Sequence, residues 1–503
     1  MAFKPRPNVL LIMTDQHRAA SMGCEGDPVV QTPNLDRLAG EGVRFGRAYC
    51  QGPLCMPARA SFLTERYVRD HGVSQNDWDV PVELPTFVQS LREAGYHTSC
   101  IGKMHLYVHG GAKTGPEGET VPRDTRQHEH TLRDLGFVEP LEGVGKHAAK
   151  SIRSEYTDYL EAHGLYDQYQ HWMATKRYGR GQVEVDGKLV DRLPMWHTES
   201  SPLPAHAYID NWIGRRAVKW IDEYDGQRPF FQWVGFAGPH DPWDAPKDYV
   251  DRYRGVDIPL GPLDPPEMAP GSPLAPFLQA LQRFGHSDGL SDDVIREVRR
   301  FYYANVTLID ERIGDIVAAL GRRGLLDSTW IIYTSDHGEM LGDHRMLTKM
   351  SFYESSVRIP LIIRPPGPLG GGATDDLVEH VDVPATIREI AGAPALAGSE
   401  GRSLQHHFGP TETELTRDVA HSENYGFGMF RTAQYKLVVF EETRHPVQLF
   451  DLQLDHDENR NVVDDPAYED VRENLMRTHV IPFLDAARPV AATRTTAGVQ
   501  EDR

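Results

Sequence analysis

Short apolar runs alternate with longer amphipathic stretches along most of the chain, and several of the runs stop abruptly at polar clusters. Asn8 to Met13 is a short apolar run ending in Thr14-Asp15-Gln16, as in a buried parallel strand with polar residues at its carboxyl end. Tyr96 to Ile101 reads as a second strand and ends in Gly102-Lys103-Met104-His105. Pro229 to Phe236 leads into Ala237-Gly238-Pro239-His240-Asp241-Pro242, and Thr329 to Thr334 ends in Ser335-Asp336-His337-Gly338-Glu339. Val357 to Arg364 is a fifth strand, stopped by Pro365-Pro366-Gly367. Between the strands, helical periodicity marks Leu84 to Ala94, Tyr208 to Tyr224, Ser291 to Leu320 and Val381 to Ile390, and Thr32 to Gly42 reads as a capped helix closed by glycine. The alternation predicts an α/β fold: a large, mostly parallel sheet sandwiched by helices.

Two regions break this rhythm. Between 106 and 206, Gly, Pro, charges and histidines mix without a sustained period, which predicts loops and short elements covering a site. His128 and His130 fall there and read as surface loop histidines before they read as ligands. From about Ala395 the pattern changes again: Gln434 to Phe440 and Gln448 to Asp451 predict a smaller antiparallel sheet, followed by a helix near Tyr468 to Ala486. The expected organisation is a catalytic α/β domain over 1–394, a small C-terminal α+β subdomain over 395–486, and a tail over 487–503.

Composition narrows the partners. A formal net charge of −20 argues against nucleic acid or long sulfated polymers, whose binding needs a basic surface. A small anion is still admissible, because screening over about 8 Å lets a few local cations outweigh a distant acidic surface. Four cysteines (Cys24, Cys50, Cys55, Cys100) make no disulfide framework in so long a chain. The start, MAFKPRPNVLLIM, does not read as a signal peptide, and no apolar run nears the ~18 residues of a membrane span, so a cytoplasmic location is expected. A homo-oligomer is compatible with all of this.

Ligands of open parallel sheets bind beyond the carboxyl ends of the strands. Four strands deliver Asp15-Gln16, Lys103 with His105, His240, and Asp336-His337 to that edge. Each cluster alone has a mundane explanation as a cap, turn or solvated loop; four at one edge point to a site. Asp15, Gln16, Asp336 and His337 offer two carboxylates, an amide oxygen and an imidazole, a donor set suited to Ca²⁺, Mn²⁺ or Mg²⁺. Arg59, Lys103 and Lys349 are cations able to surround an oxyanion. Cys55 stands at the threshold of a helix whose first turn holds Pro57, so it faces the positive end of a helix dipole. Zinc thiolate chemistry is the rival reading for Cys55, weakened because Cys50, at Cys-x₄-Cys spacing, sits just upstream of proline and the helix.

Cys55-Met56-Pro57-Ala58-Arg59 resembles the signature of the type I sulfatases of the alkaline-phosphatase superfamily. NVLLIMTDQ, TPNLDRLAGEG, GYHTSCIGKMHL, GPHDP, SDHGEMLGDH and VRIPLIIRPPG are similar to further segments of that family, in the same order. The resemblance runs from about Pro7 to Val462, and YKLVVF with LFDLQLDHDEN resembles the family's small C-terminal sheet. It implies that a formylglycine-generating enzyme converts Cys55 to formylglycine, one hydroxyl of whose hydrate attacks sulfur. It implies one divalent cation, Ca²⁺ or Mn²⁺, held by Asp15, Gln16, Asp336 and His337 together with position 55. By the same resemblance Arg59 stabilises the hydrate, Lys103 the developing charge, and His240 and Lys349 bind sulfate and assist the leaving group. His105 is the base on the remaining hydroxyl, and Asn76 matches a substrate-side asparagine. Asp15-Gln16 and Asp336-His337 depart from the commoner Asp-Asp and Asp-Asn pairs and look like the branch of phosphonate monoester hydrolases and choline sulfatases. Phosphonate hydrolases lack the Lys-x-His pair found at Lys103 and His105, which favours sulfate. The expected activity is hydrolysis of a small aryl or alkyl sulfate. Phosphonate monoester or phosphodiester hydrolysis is the alternative, and a non-catalytic ligand-binding relative ranks below it. No aromatic cage for a choline ammonium is evident.

Overall fold

Along β1 (Asn8–Asp15), Leu10 and Ile12 enter one core while Val9, Leu11 and Met13 enter another. A strand covered on both faces requires this period of two. The structure, a computed structural model, describes residues 6–108, 113–114, 120–121, 123–176, 178–179, 181–185, 188–267, 271–367, 369–409 and 416–486. The expected tail at 487–503 lies outside the described residues.

Eight further strands join β1 in one sheet: β2 (Val43–Tyr49), β3 (His97–Gly102), β4 (Glu139–Glu142), β5 (Phe230–Pro239), β6 (Thr329–Ser335), β7 (Arg358–Ile359), β8 (Leu361–Arg364) and β9 (Gly372–Glu379). Their spatial order is β7-β2-β8-β6-β1-β5-β3-β4, with β9 also paired to β2. The central run β6-β1-β5-β3-β4 is parallel throughout. The strand expected over Val357 to Arg364 is cut at Pro360, which has no N–H for a ladder, into β7 and β8, and both lie antiparallel to β2.

Helices cover both faces. On the side of Leu10 and Ile12, a helix over Ile209–Glu223 packs with the long helix Asp292–Arg322. The other core holds Phe62, Phe87, Trp233 and Ile387. Helix Pro33–Glu41 follows Thr32 as expected, yet the Thr32 hydroxyl is turned to Asp36 and does not cap it. Asp310, from the long helix, accepts the Asn34 and Leu35 N–H groups instead, and burial raises its carboxyl to about 6. No helix among the described residues is long and apolar enough to cross a membrane.

Region 106–206 holds more regular structure than its pattern announces, including helices Glu155–Ala162 and Tyr166–Thr175. His130 is exposed there, and His128 stacks on Tyr107. At the C-terminal end, strands Ala420–Asn424, Phe427–Arg431, Tyr435–Phe440 and His445–Asp451 form an antiparallel sheet. Phe430, Leu437 and Leu449 pack there against Leu475 and Val480. The helix expected near Tyr468 to Ala486 is two short α segments joined by a π turn over Met476–Val480.

Candidate active site

Strand register sets the spacing of the site. Thr14 lies opposite Ser335 and Asp15 opposite Pro239, while Gly235 pairs with Gly102. The residues that follow these pairs therefore emerge side by side: Asp336, Asp15, His240 and Lys103. Cys55 opens a helix over Cys55–Thr64 that is buried along its whole length. Its thiol lies 3.2 Å from His337 Nε2 and 3.8 Å from Asp15 Oδ1.

Arg59, one turn on, is fully buried. Its Nε donates to Asp336 Oδ2 at 2.9 Å, its Nη2 to Asp15 Oδ2 at 3.2 Å, and its Nη1 to the Lys103 carbonyl at 2.9 Å. Lys103 Nζ reaches Asp15 Oδ2 at 2.6 Å. Lys349 Nζ donates to the Gln16 amide oxygen and lies 2.8 Å from His240 Nε2. His240 Nδ1 is 2.7 Å from the Asp241 carbonyl and 3.1 Å from Asp241 Oδ1. These acceptors assign the ring proton to Nδ1 and leave Nε2 to accept from Lys349. Asn76 Oδ1 accepts the Met56 N–H at 2.9 Å, so this residue caps the Cys55 helix while lining the chamber above it.

The charges are strongly interdependent. Burial opposes ionisation of Asp15, but Lys103, His240 and Arg59 hold its carboxyl well below the usual range. Burial and the neighbouring Asp15 push Asp336 the other way. Burial and Asp15 also oppose a Cys55 thiolate, yet Lys349, His337 and Lys103 bring the thiol well below its ordinary value. Burial depresses His337, and Asp336 with Cys55 more than restores it, so its pKa is raised. Two facing carboxylates of which one resists ionisation are the arrangement that a divalent cation relieves. Ligand atoms of Asp15, Cys55, Asp336 and His337 all lie within 4.8 Å of one another, so the donor set fits such an ion. The Gln16 amide is committed elsewhere: its oxygen to Lys349, its nitrogen to Glu339, with only its backbone N–H on Asp336.

Cys55, Lys103, His105, His240 and Asn76 line a chamber of about 180 Å³. The expected residues Asp15, Arg59, Asp336, His337, Gln16 and Lys349 lie buried against that lining, through the contacts of Asp15 with Lys103 and Cys55, His337 with Cys55, and Lys349 with His240. Several participants have no expectation from sequence. His147 Nε2 pairs with Asp241 Oδ2 at 3.1 Å. Lys146, buried, donates to the His240 carbonyl at 2.9 Å and to Asp244 and Asn305 at 3.0 Å each, which fixes the His240 loop. Buried Glu339 accepts the Leu341 and Thr348 N–H groups besides the Gln16 amide. Asp241 and Glu339 were visible beside His240 and His337 as acids in those clusters; nothing in the irregular stretch around Lys146 and His147 marks them.

The chain matches the sulfatase family model over residues 7–393, and a model of the N-sulphoglucosamine sulphohydrolase C-terminal region over residues 342–480. It is 30% identical to an arylsulfatase of Clostridium perfringens, across 95% of each chain. The phosphonate monoester hydrolase from Silicibacter pomeroyi superposes with a TM-score of 0.75 at 25% identity, over 94% of each chain. That of Agrobacterium radiobacter shares the fold, with a TM-score of 0.74 at 24% identity over 95% of each chain. With a nearly full-length relative at 30% identity and a family model spanning most of its length, the chain belongs to the sulfatase family and is a sulfuric ester hydrolase by class.

Proposed function

We propose that the protein hydrolyses sulfate monoesters of aryl or alkyl alcohols, with Cys55 matured to formylglycine by a formylglycine-generating enzyme and one divalent cation at Asp15, Asp336 and His337. The observation that carries this reading is the contact network that joins Cys55, both aspartates, Arg59, Lys103, His240 and Lys349 beside one small chamber. When present, formylglycine supplies a hydrated hydroxyl as nucleophile, and the cation supplies charge stabilisation at a sulfate oxygen.

The chain's own groups do the rest. A sulfate monoester calls for charge stabilisation and leaving-group protonation more than for a strong nucleophile. Lys103 and Lys349, together with the amino end of the Cys55 helix, neutralise the sulfate oxygens. Arg59 keeps Asp15 and Asp336 in place by bridging them. Lys349 protonates the departing oxygen, directly or through His240 Nε2, and Asp241 fixes the tautomer that makes the relay work. His105, which lines the same chamber as Cys55, serves as base on the nucleophile.

Three measurements test this. Mass spectrometry of the Cys55 peptide should find formylglycine. Activity on 4-nitrophenyl sulfate should fall after chelation and return with Ca²⁺ or Mn²⁺. An unmodified thiol in protein from the native host would favour a silent, ligand-binding relative. Faster turnover of phenyl phosphonate esters than of aryl sulfates would favour the phosphonate reading, which the likeness in fold to the two phosphonate hydrolases keeps in view.

A further inference from the structure

Above the Cys55 chamber opens a second, larger cavity of about 1100 Å³. The two share Asn76, His147, His240 and Asp241 in their walls. The alcohol part of an ester bound below therefore extends into this cleft as soon as it is longer than the chamber.

The cleft has two kinds of wall. Phe277, Leu281, Phe284 and Tyr425 form an apolar one. Phe284 and Tyr425 are 53% and 45% exposed, a cost in water that an apolar guest would recover, and the Phe277 and Tyr425 rings lie 5.5 Å apart. Opposite in character are Lys150, Lys176, Arg192, Arg283 and Lys349, five cations against a single carboxylate, Asp241. Asp241 is already held between His147 and His240. The chain as a whole has the reverse balance, 73 acidic against 53 basic residues. Lys176 is tied to Glu199, but the guanidinium groups of Arg192 and Arg283 have no hydrogen bond or ion pair among the described residues.

We propose that this cleft selects sulfate esters whose alcohol is bulky, partly apolar and itself anionic. The apolar body lies along Phe277, Phe284 and Tyr425. A second sulfonate, sulfate or carboxylate group is met by Arg192 and Arg283, whose planar forks match paired oxygens. A cationic alcohol such as choline meets repulsion in the same place. The acidic balance of the sequence suggested a small alcohol; the local wall charge argues for a larger, charged one. The proposal concerns the leaving-group side and rests on the sulfatase reading for its kinetic arm only.

The experiment compares 2-naphthyl sulfate with 6-sulfo-2-naphthyl sulfate, and separately the binding of the two product naphthols by fluorescence titration. At low ionic strength we expect kcat/KM for the sulfonated ester to exceed the other by about tenfold, with the ratio shrinking as salt is added. 6-Hydroxynaphthalene-2-sulfonate should bind tighter than 2-naphthol by a similar factor. Arg192→Ala with Arg283→Ala should bring both ratios close to one. If the double variant does not fold, the single variants and the salt dependence of the unmodified protein read the same effect. Equal binding of the two naphthols, or ratios unmoved by the arginine substitutions, would overturn the proposal. Tight binding of the sulfonated naphthol with no turnover of either ester would sustain the cleft assignment and sink the sulfatase reading instead.

Discussion

The floor of the chamber and the cleft above it are built from different materials. On the floor, Asp15, Arg59, Asp336 and His337 have no solvent exposure, and every charge is answered by another within about one hydrogen-bond length. In the cleft, Phe284 and Tyr425 stand half exposed, and Arg192 and Arg283 have no acid partner among the described residues. The floor comes from strand ends and one helix, whose relative positions the sheet register fixes. The cleft comes from residues around 150–195, 277–286, 348–350 and 425, all outside the strands of the main sheet and in part on a helix over Leu274–Phe284. Buried, mutually satisfied charge is rigid and serves chemistry common to all substrates; exposed and unsatisfied groups are available to discriminate among them.

That contrast can be broken first at Cys55. Cys55→Ala should lower kcat/KM by about 10⁴-fold or more on every sulfate ester alike, with the unfolding midpoint little changed. Loss on only some esters would show that the floor also takes part in selection. Arg59→Ala should abolish activity as well, and it should cost about 3–5 kcal/mol of stability in urea titrations, because it strands two buried carboxylates. Asp241→Asn should act less severely, lowering kcat by about 100-fold for alkyl sulfates and less for 4-nitrophenyl sulfate, whose leaving group needs no proton. A uniform loss across leaving groups would remove His240 and Asp241 from the protonation step.

The smallest effect concerns stability against pH. His71, which bonds Ser61 in the Cys55 helix, and His380, behind it, are depressed by burial from the ordinary 6.5 to about 3. Both are neutral in the folded protein. Their contribution is complete above pH 6.5 and is lost as pH falls toward 3, at up to about 1.4 kcal/mol per pH unit for each. His71→Asn should flatten the acid limb of a denaturation-against-pH curve by one such increment, and leave the ratio between the two naphthyl esters untouched.

The same contrast explains what could be read in advance. Strands buried on both faces announce themselves as apolar runs, and the polar residues at their ends mark the floor: Asp15, Lys103, His240 and Asp336 all stand there. β2 went unread because VRFGRAY is only partly buried and carries two arginines and a glycine. β4 and β9 went unread for a related reason: short or half-exposed strands need no apolar run. Lys146 and His147 sit in a stretch whose order comes from tertiary contacts, Lys146 through four polar acceptors, and no local period encodes such a thing. What satisfies the amino end of helix Pro33–Glu41 is not legible locally either, because it comes from 276 residues away, as Asp310 does for Asn34.

Cys55 is 1% exposed, roofed by neighbours that arrive from as far along the chain as Lys349. An enzyme that oxidises a side chain has to enclose it, and a thiol under a completed sheet edge offers nothing to enclose. On the proposed reading, conversion and folding are therefore competitors in time: a modifying enzyme would have to reach residues 55–59 before the segment carrying Asp336 and Lys349 closes over them. A molecule that folded first would keep its thiol until it unfolded again, and on that reading the formylglycine fraction of a preparation would record the order of the two events during synthesis.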